Sequence, residues 1–126
     1  MCRMTEPTVG TLVESPVQLR PDGAATREPA SGYPANAWQV GEAVMSASSR
    51  HGGERHLDAD ELVYLIAGAA SVELSERGHC EVVALRPGEA FVVPRVTWHR
   101  ILVDHASRLL FVGSGRTEVR PRTPSE

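Results

Sequence analysis

From Asn36 to about Gly115 the sequence never stays apolar for long: short runs rich in Val, Leu, Ile and aromatic residues are broken by Gly, Pro, Asp and Ser. That rhythm is what short strands joined by tight turns require. No window of 11 or more residues carries the 3.6-residue period of an amphipathic helix. The expected fold class is therefore all-β, with little or no helix. Strands are predicted over Ala37–Ala47, Arg50–His56, Glu61–Ala67, Ala70–Ser75, Cys80–Leu85, Ala90–Val93, Trp98–Asp104 and Arg108–Gly113. Strands this short present unpaired edges unless the sheet closes on itself, which points to a barrel or jelly roll.

A chain of 126 residues, 41% hydrophobic and 23% charged, has room for one domain and one core. Residues 1–35, rich in Pro, Gly, Thr and Ala, are expected to be a tail or strap. Only Thr8–Val13 and Pro16–Leu19 there look able to form strands, in this chain or exchanged with a second copy. Residues 36–115 form the expected barrel, and 116–126 an Arg/Pro/Ser-rich tail. The net charge of −3 excludes the concentrated positive surface of a nucleic-acid binder. All 13 basic residues are arginine, so no Schiff-base or lysine-base chemistry is available. Cys2 and Cys80 are too few for a disulfide framework or a cysteine metal motif. The first residues lack the apolar run of a signal peptide, and no stretch reaches the roughly 20 apolar residues of a membrane span. The expected location is the cytoplasm, with no membrane partner.

Strand phase brings chemistry to one face. If Leu57–Asp60 is a four-residue hairpin loop, His56 lies opposite Glu61 on the next strand. Alternation then adds Glu54, with Val63, Leu65, Val72 and Leu74 behind, and Ser71, Glu73 and Ser75 on the other side. His99 shares its phase with Ile101 and Val103. Imidazole nitrogens and carboxylate oxygens of this kind suit one divalent transition metal: Fe, Mn, Ni, Zn or Co. Two carboxylates balance such an ion, whereas buried together without ion or proton they repel. Arg95, at the expected rim, could grip a substrate carboxylate or phosphate. His51, His79 and His105 fall in or beside turns and are read as surface residues. Trp38, Phe91 and Phe111 are read as core, and Trp98 as core or interface packing. The opposite phase, Leu62, Tyr64 and Ile66, is too apolar for a solvated wall, so either the N-terminal segment or a second copy of the chain is expected to cover it, with a homodimer the favoured reading.

Two motifs resemble the cupin superfamily. Its first pairs two histidines one residue apart with a glutamate three or four residues on and a glycine after six more. This chain reads Glu54-Arg55-His56, then Glu61, then six residues to Gly68. Its second runs from a glycine through a proline and a second glycine to a histidine. This chain reads Gly88-Glu-Ala-Phe-Val-Val-Pro94-Arg95-Val96-Thr-Trp-His99. The 19 residues between Gly68 and Gly88 match the short spacing of small microbial cupins, and the resemblance spans Trp38 to Gly113. Three positions depart from it. Glu54 stands where the first histidine is expected, turning three histidines and one glutamate into two of each. Val96 replaces the second glycine, and because a β-branched residue tolerates positive φ badly, a differently shaped turn is expected. Val103 replaces a frequent asparagine.

The resemblance implies a metal held by His56, Glu61, His99 and Glu54, acting as Lewis acid or oxygen-activating centre on a small polar organic substrate inside the barrel. If Glu54 is not a ligand, it is placed to serve as general acid or base. Fold alone does not choose an activity, and a small-molecule-binding cupin without turnover is the alternative reading.

Overall fold

Eleven strands and no helix are found among the described residues, 9–28 and 32–122 of the computed structural model. They are β1 (Val17–Leu19), β2 (Ala25–Arg27), β3 (Trp38–Met45), β4 (Gly53–His56), β5 (Glu61–Ala67), β6 (Ala70–Glu76), β7 (His79–Leu85), β8 (Ala90–Val93), β9 (Trp98–Val103), β10 (Ser107–Gly113) and β11 (Thr117–Arg120). They form a six-stranded sheet in the order β2-β1-β3-β10-β5-β8 and a five-stranded sheet in the order β11-β4-β9-β6-β7. The all-β jelly-roll expectation holds. No helix among the described residues is long and apolar enough to cross a membrane.

Alternation sets the interior. Along β5, Glu61, Val63 and Leu65 are buried while Leu62, Tyr64 and Ile66 are half-buried on the opposite face. Val63, Leu65, Ala70, Val72, Leu85, Val93, Ile101 and Leu109 make one core, with Phe91 and Phe111 packed against it. Trp38 does not join them. It is 45% exposed, because the inward phase of β3 is Gln39, Gly41, Ala43 and Met45, opposite Gly113, Phe111, Leu109 and Ser107 of β10.

Several expectations change. Leu57–Asp60 is not a hairpin loop: β4 pairs with β9 and β11, whereas β5 pairs with β8 and β10. The segment crosses from one sheet to the other, so His56 and Glu61 meet across the interior rather than along a ladder. The eight expected strands become eleven. Part of the expected N-terminal strap enters the six-stranded sheet, where Val17–Leu19 pair with Trp38–Val40. Thr11 to Ser15 form a turn instead of a strand, closed by Ser15 N–H donating to Thr11 O at 2.9 Å. Thr8 and Cys2 lie outside the described residues. The expected tail from residue 116 contains β11, whose Thr117–Arg120 pair with His56–Gly53. Both additions are three- or four-residue strands that exist because a longer strand offers them an edge.

Val96 does adopt positive φ, +64°, against expectation. Its N–H donates to His56 O at 2.7 Å, and its side chain is 48% exposed, so the methyls meet no packed wall. The left-handed conformation costs on the order of 1–2 kcal/mol for a residue with Cβ, and the turn keeps its shape anyway.

Candidate metal centre

The predicted cluster converges. One ligand atom from each of Glu54, His56, Glu61 and His99 lies within 4.8 Å of every other. Glu54 and His99 are directly opposed on β4 and β9, and His56 follows Glu54 on the same face. Glu61 arrives from the start of β5 in the other sheet. Three donors thus come from one wall and the fourth from the wall facing it.

Glu61 sits between the imidazoles. Its Oε1 is 3.0 Å from His99 Nε2 and its Oε2 is 3.1 Å from His56 Nε2. Glu54 Oε1 stands 3.7 Å from His56 Nε2 and 3.8 Å from His99 Nε2. Each outer ring nitrogen is already engaged. His56 Nδ1 meets Thr117 Oγ1 at 2.8 Å, and His99 Nδ1 donates to Thr97 O at 3.0 Å. With Nδ1–H committed to a carbonyl, Nε2 of His99 is the nitrogen whose lone pair faces inward, which is how histidine ligands are oriented. His56 Nε2 is buried and makes no hydrogen bond, although a carboxylate oxygen is close. An orphaned ring nitrogen beside two acidic groups fits a metal ion better than it fits a closed hydrogen-bond network. Oxygen and nitrogen ligands bound at about 2.0–2.2 Å lie roughly 3 Å apart along an octahedral edge, which matches the two Glu61 distances. The donor set fits a divalent transition metal.

Charge follows the same geometry. Burial pushes the Glu61 carboxyl up, but the His56 and His99 imidazoles outweigh it and hold the group at about 2. For His99, burial pulls the imidazole down, and the hydrogen bond and charge of Glu61 more than offset it, so the value is raised. Without an ion the two form a buried charge pair.

Tyr33 was not legible as a site residue, because it lies in the stretch read as a strap. Its hydroxyl donates to Glu61 Oε2 at 2.5 Å, and its ring lies 5.2 Å from that of His56. Burial and then the Glu61 charge push the phenol upward, so it stays protonated as a donor. Gly113 makes room for it: a Cβ there would collide with the Tyr33 ring. Thr117, the partner of His56, was hidden in the supposed C-terminal tail. His51, expected at the surface, is half-buried, with Nε2 3.9 Å from Glu54 Oε2. Trp98 faces outward between the guanidinium groups of Arg55 and Arg120, at 4.7 and 4.8 Å from the ring centroid. Arg95 is not brought to the site. It is exposed, its backbone N–H and guanidinium both turn to Asp60, and it lines no part of the cavity.

That cavity, about 460 Å³, opens beside Glu54, His56 and Glu61 and is bounded mainly by apolar side chains.

No family model and no curated protein matches the sequence. Solved structures do match in shape. A cupin-2 domain containing protein from Shewanella frigidimarina shares 16% identity at a TM-score of 0.53, the match covering 68% of this chain and 71% of that one. An oxalate decarboxylase shares 18% identity at 0.51, covering 66% of this chain and 23% of its own. The 11S allergen of Cocos nucifera shares 19% at 0.51, covering 65% and 24%. The chain therefore spans about a quarter of the last two. Identities this low speak for the fold alone, which this chain shares with the cupin-2 domain structure.

Proposed function

On this cupin barrel, we propose that Glu54, His56, Glu61 and His99 hold one divalent transition metal (Fe, Mn, Ni, Zn or Co) and that the chain is an enzyme acting on a small organic molecule in the adjoining cavity. The observation that carries the reading is the convergence of four donor atoms within 4.8 Å of one another, while both histidines spend Nδ1 on the surrounding wall. Such an ion supplies Lewis acidity or oxygen activation. The residues do the rest. Thr117 and Thr97 O fix the two ring planes, and Tyr33 fixes one oxygen of Glu61. Glu54 is the most exposed member of the set, and its second oxygen, 3.9 Å from His51 Nε2, is placed to move a proton at the cavity wall.

The test is a metal titration followed by melting temperature. Mn, Fe(II), Ni or Zn salts should raise the melting temperature of chelator-treated protein, and His99→Ala should abolish the shift while far-UV dichroism stays β-rich. Equal shifts in both proteins would sink the assignment.

We also propose a homodimer formed through the outer face of the six-stranded sheet. The support is a row of apolar residues in register across five strands: Val17, Val40, Val112, Leu62 and Val92. Tyr64 and Leu110 lie opposite one another beside it. The Arg108–Glu42 pair borders this row, and an apolar row of that width ordinarily marks an interface.

A further inference from the structure

The cavity beside the cluster has a composition that selects among ligands. Its size is that of pockets holding small organic molecules. Leu12, Pro16, Phe111 and Val119 give it apolar walls, and among the described residues no arginine or lysine lines it. Glu42 is the one acidic lining residue outside the cluster, and Arg108 neutralises it at 2.6 Å.

The ion itself offers little attraction to an anion. Two carboxylates, Glu54 and Glu61, cancel the charge of a divalent metal, whereas the three-histidine, one-glutamate set that the motif resembles would leave one positive charge. Glu54 at this position thus turns a cationic centre into a neutral one, inside a cavity that no arginine or lysine lines among the described residues.

One polar feature remains in the wall. Gln39 on β3 and Gln18 on β1 are directly opposed, 7% and 2% exposed. Gln18 Nε2 donates to Gln39 Oε1 at 2.8 Å. This fixes the Gln39 carboxamide with its oxygen occupied, and its NH₂ group has no acceptor among the described residues. Gln39 lines the cavity; Gln18 stands behind it, with its own Oε1 unpartnered. A buried amide pair of this kind is costly while the Gln39 NH₂ group lacks an acceptor and Gln18 Oε1 lacks a donor, and a ligand in the cavity can reach only the first.

Resting on the metal reading above, we propose that the cavity takes an uncharged, largely apolar molecule carrying a hydrogen-bond-accepting oxygen, such as a ketone, which the Gln39 amide holds while the apolar body packs on Phe111 and Pro16. Gln18 acts as the positioning residue for Gln39. The polar substrate implied by the resemblance gives way to a neutral, mainly apolar one.

Acetophenone and benzoate, matched in shape and different in charge, are the probes, titrated into zinc-loaded protein by NMR with zinc content measured on every sample. Acetophenone should bind at least about ten-fold more tightly than benzoate. Gln39→Leu should weaken acetophenone about ten-fold, the size of one hydrogen bond, with zinc content unchanged. Glu54→His should move the preference toward benzoate. Benzoate binding as well as acetophenone to the parent protein, or Gln39→Leu leaving acetophenone untouched, would overturn the proposal. Failure to retain zinc would strike the metal reading alone; the Gln39→Leu comparison on zinc-free protein would then decide the subsite.

Discussion

The two sheets share one interior and differ in nearly everything else. The outer face of the five-stranded sheet is a solvated surface: Arg55 pairs with Glu118 at 2.6 Å, Arg100 with Glu73 at 2.9 Å, and two guanidinium groups lie over the Trp98 ring. The outer face of the six-stranded sheet carries the apolar row from Val17 to Val92. Inside, the contrast runs the other way. The charged-backed sheet contributes Glu54, His56, His99, the supporting Thr117 and Val119 of the cavity wall, while the apolar-backed sheet contributes Glu61, Gln39 and Phe111. The lesson is a division of labour. One wall, carrying ion pairs and cation–ring contacts on its solvent side, supplies three of the four candidate metal donors; the other supplies the fourth and turns an apolar row outward.

The largest effect is expected where both sheets depend on the same packing. Leu109, fully buried on β10, should cost about 2–5 kcal/mol on replacement by Ala, read by urea unfolding. A loss under 1 kcal/mol would mean that the six-stranded wall does not pack as described. Next comes the outer-face contrast. Tyr64→Glu should halve the mass seen by light scattering, whereas Glu73→Gln on the opposite outer face should leave it unchanged. A parent protein already monomeric would break that half of the comparison.

The Glu61–His99 pair, which joins the sheets, predicts a pH window for metal-free protein. Glu61 is depressed from 4.5, so its contribution is present above that value and lost as pH falls toward about 2. His99 is raised from 6.5, so its contribution is present below that value and lost as pH rises through the elevated one. The melting temperature of the metal-free protein should therefore be highest between about pH 4.5 and 6.5. A profile still rising above pH 8 would contradict the pairing. The smallest effect is at the β8–β9 turn. Val96→Gly removes left-handed strain from a half-exposed residue and should change stability by about 1 kcal/mol or less, in the stabilising direction.

Much of this was legible from residue order. The alternation Glu61-Val63-Leu65 and His99-Ile101-Val103 needs only the period of a strand, and it set the candidate ligands and the core on one face, as the structure has them. Motif spacing then placed the two halves of the site together. What the sequence concealed were pairings between distant segments. A short linker between Arg50–His56 and Glu61–Ala67 reads as a hairpin, yet the jelly roll sends those strands to different sheets. Val17–Leu19 and Thr117–Arg120 are too short to announce themselves and form only on a neighbour's edge, so Gln18 and Thr117 stayed hidden with them. Tyr33 gave no local signal; its place depends on the space left by Gly113, 80 residues away.

Everything assigned to the site depends on an ion being there. Elemental analysis of protein purified without chelators and without a nickel-charged resin measures this directly. The expected result is close to one transition-metal ion per chain, falling to none in His99→Ala. Parent protein that carries no metal, and takes up none from solution, would contradict the account.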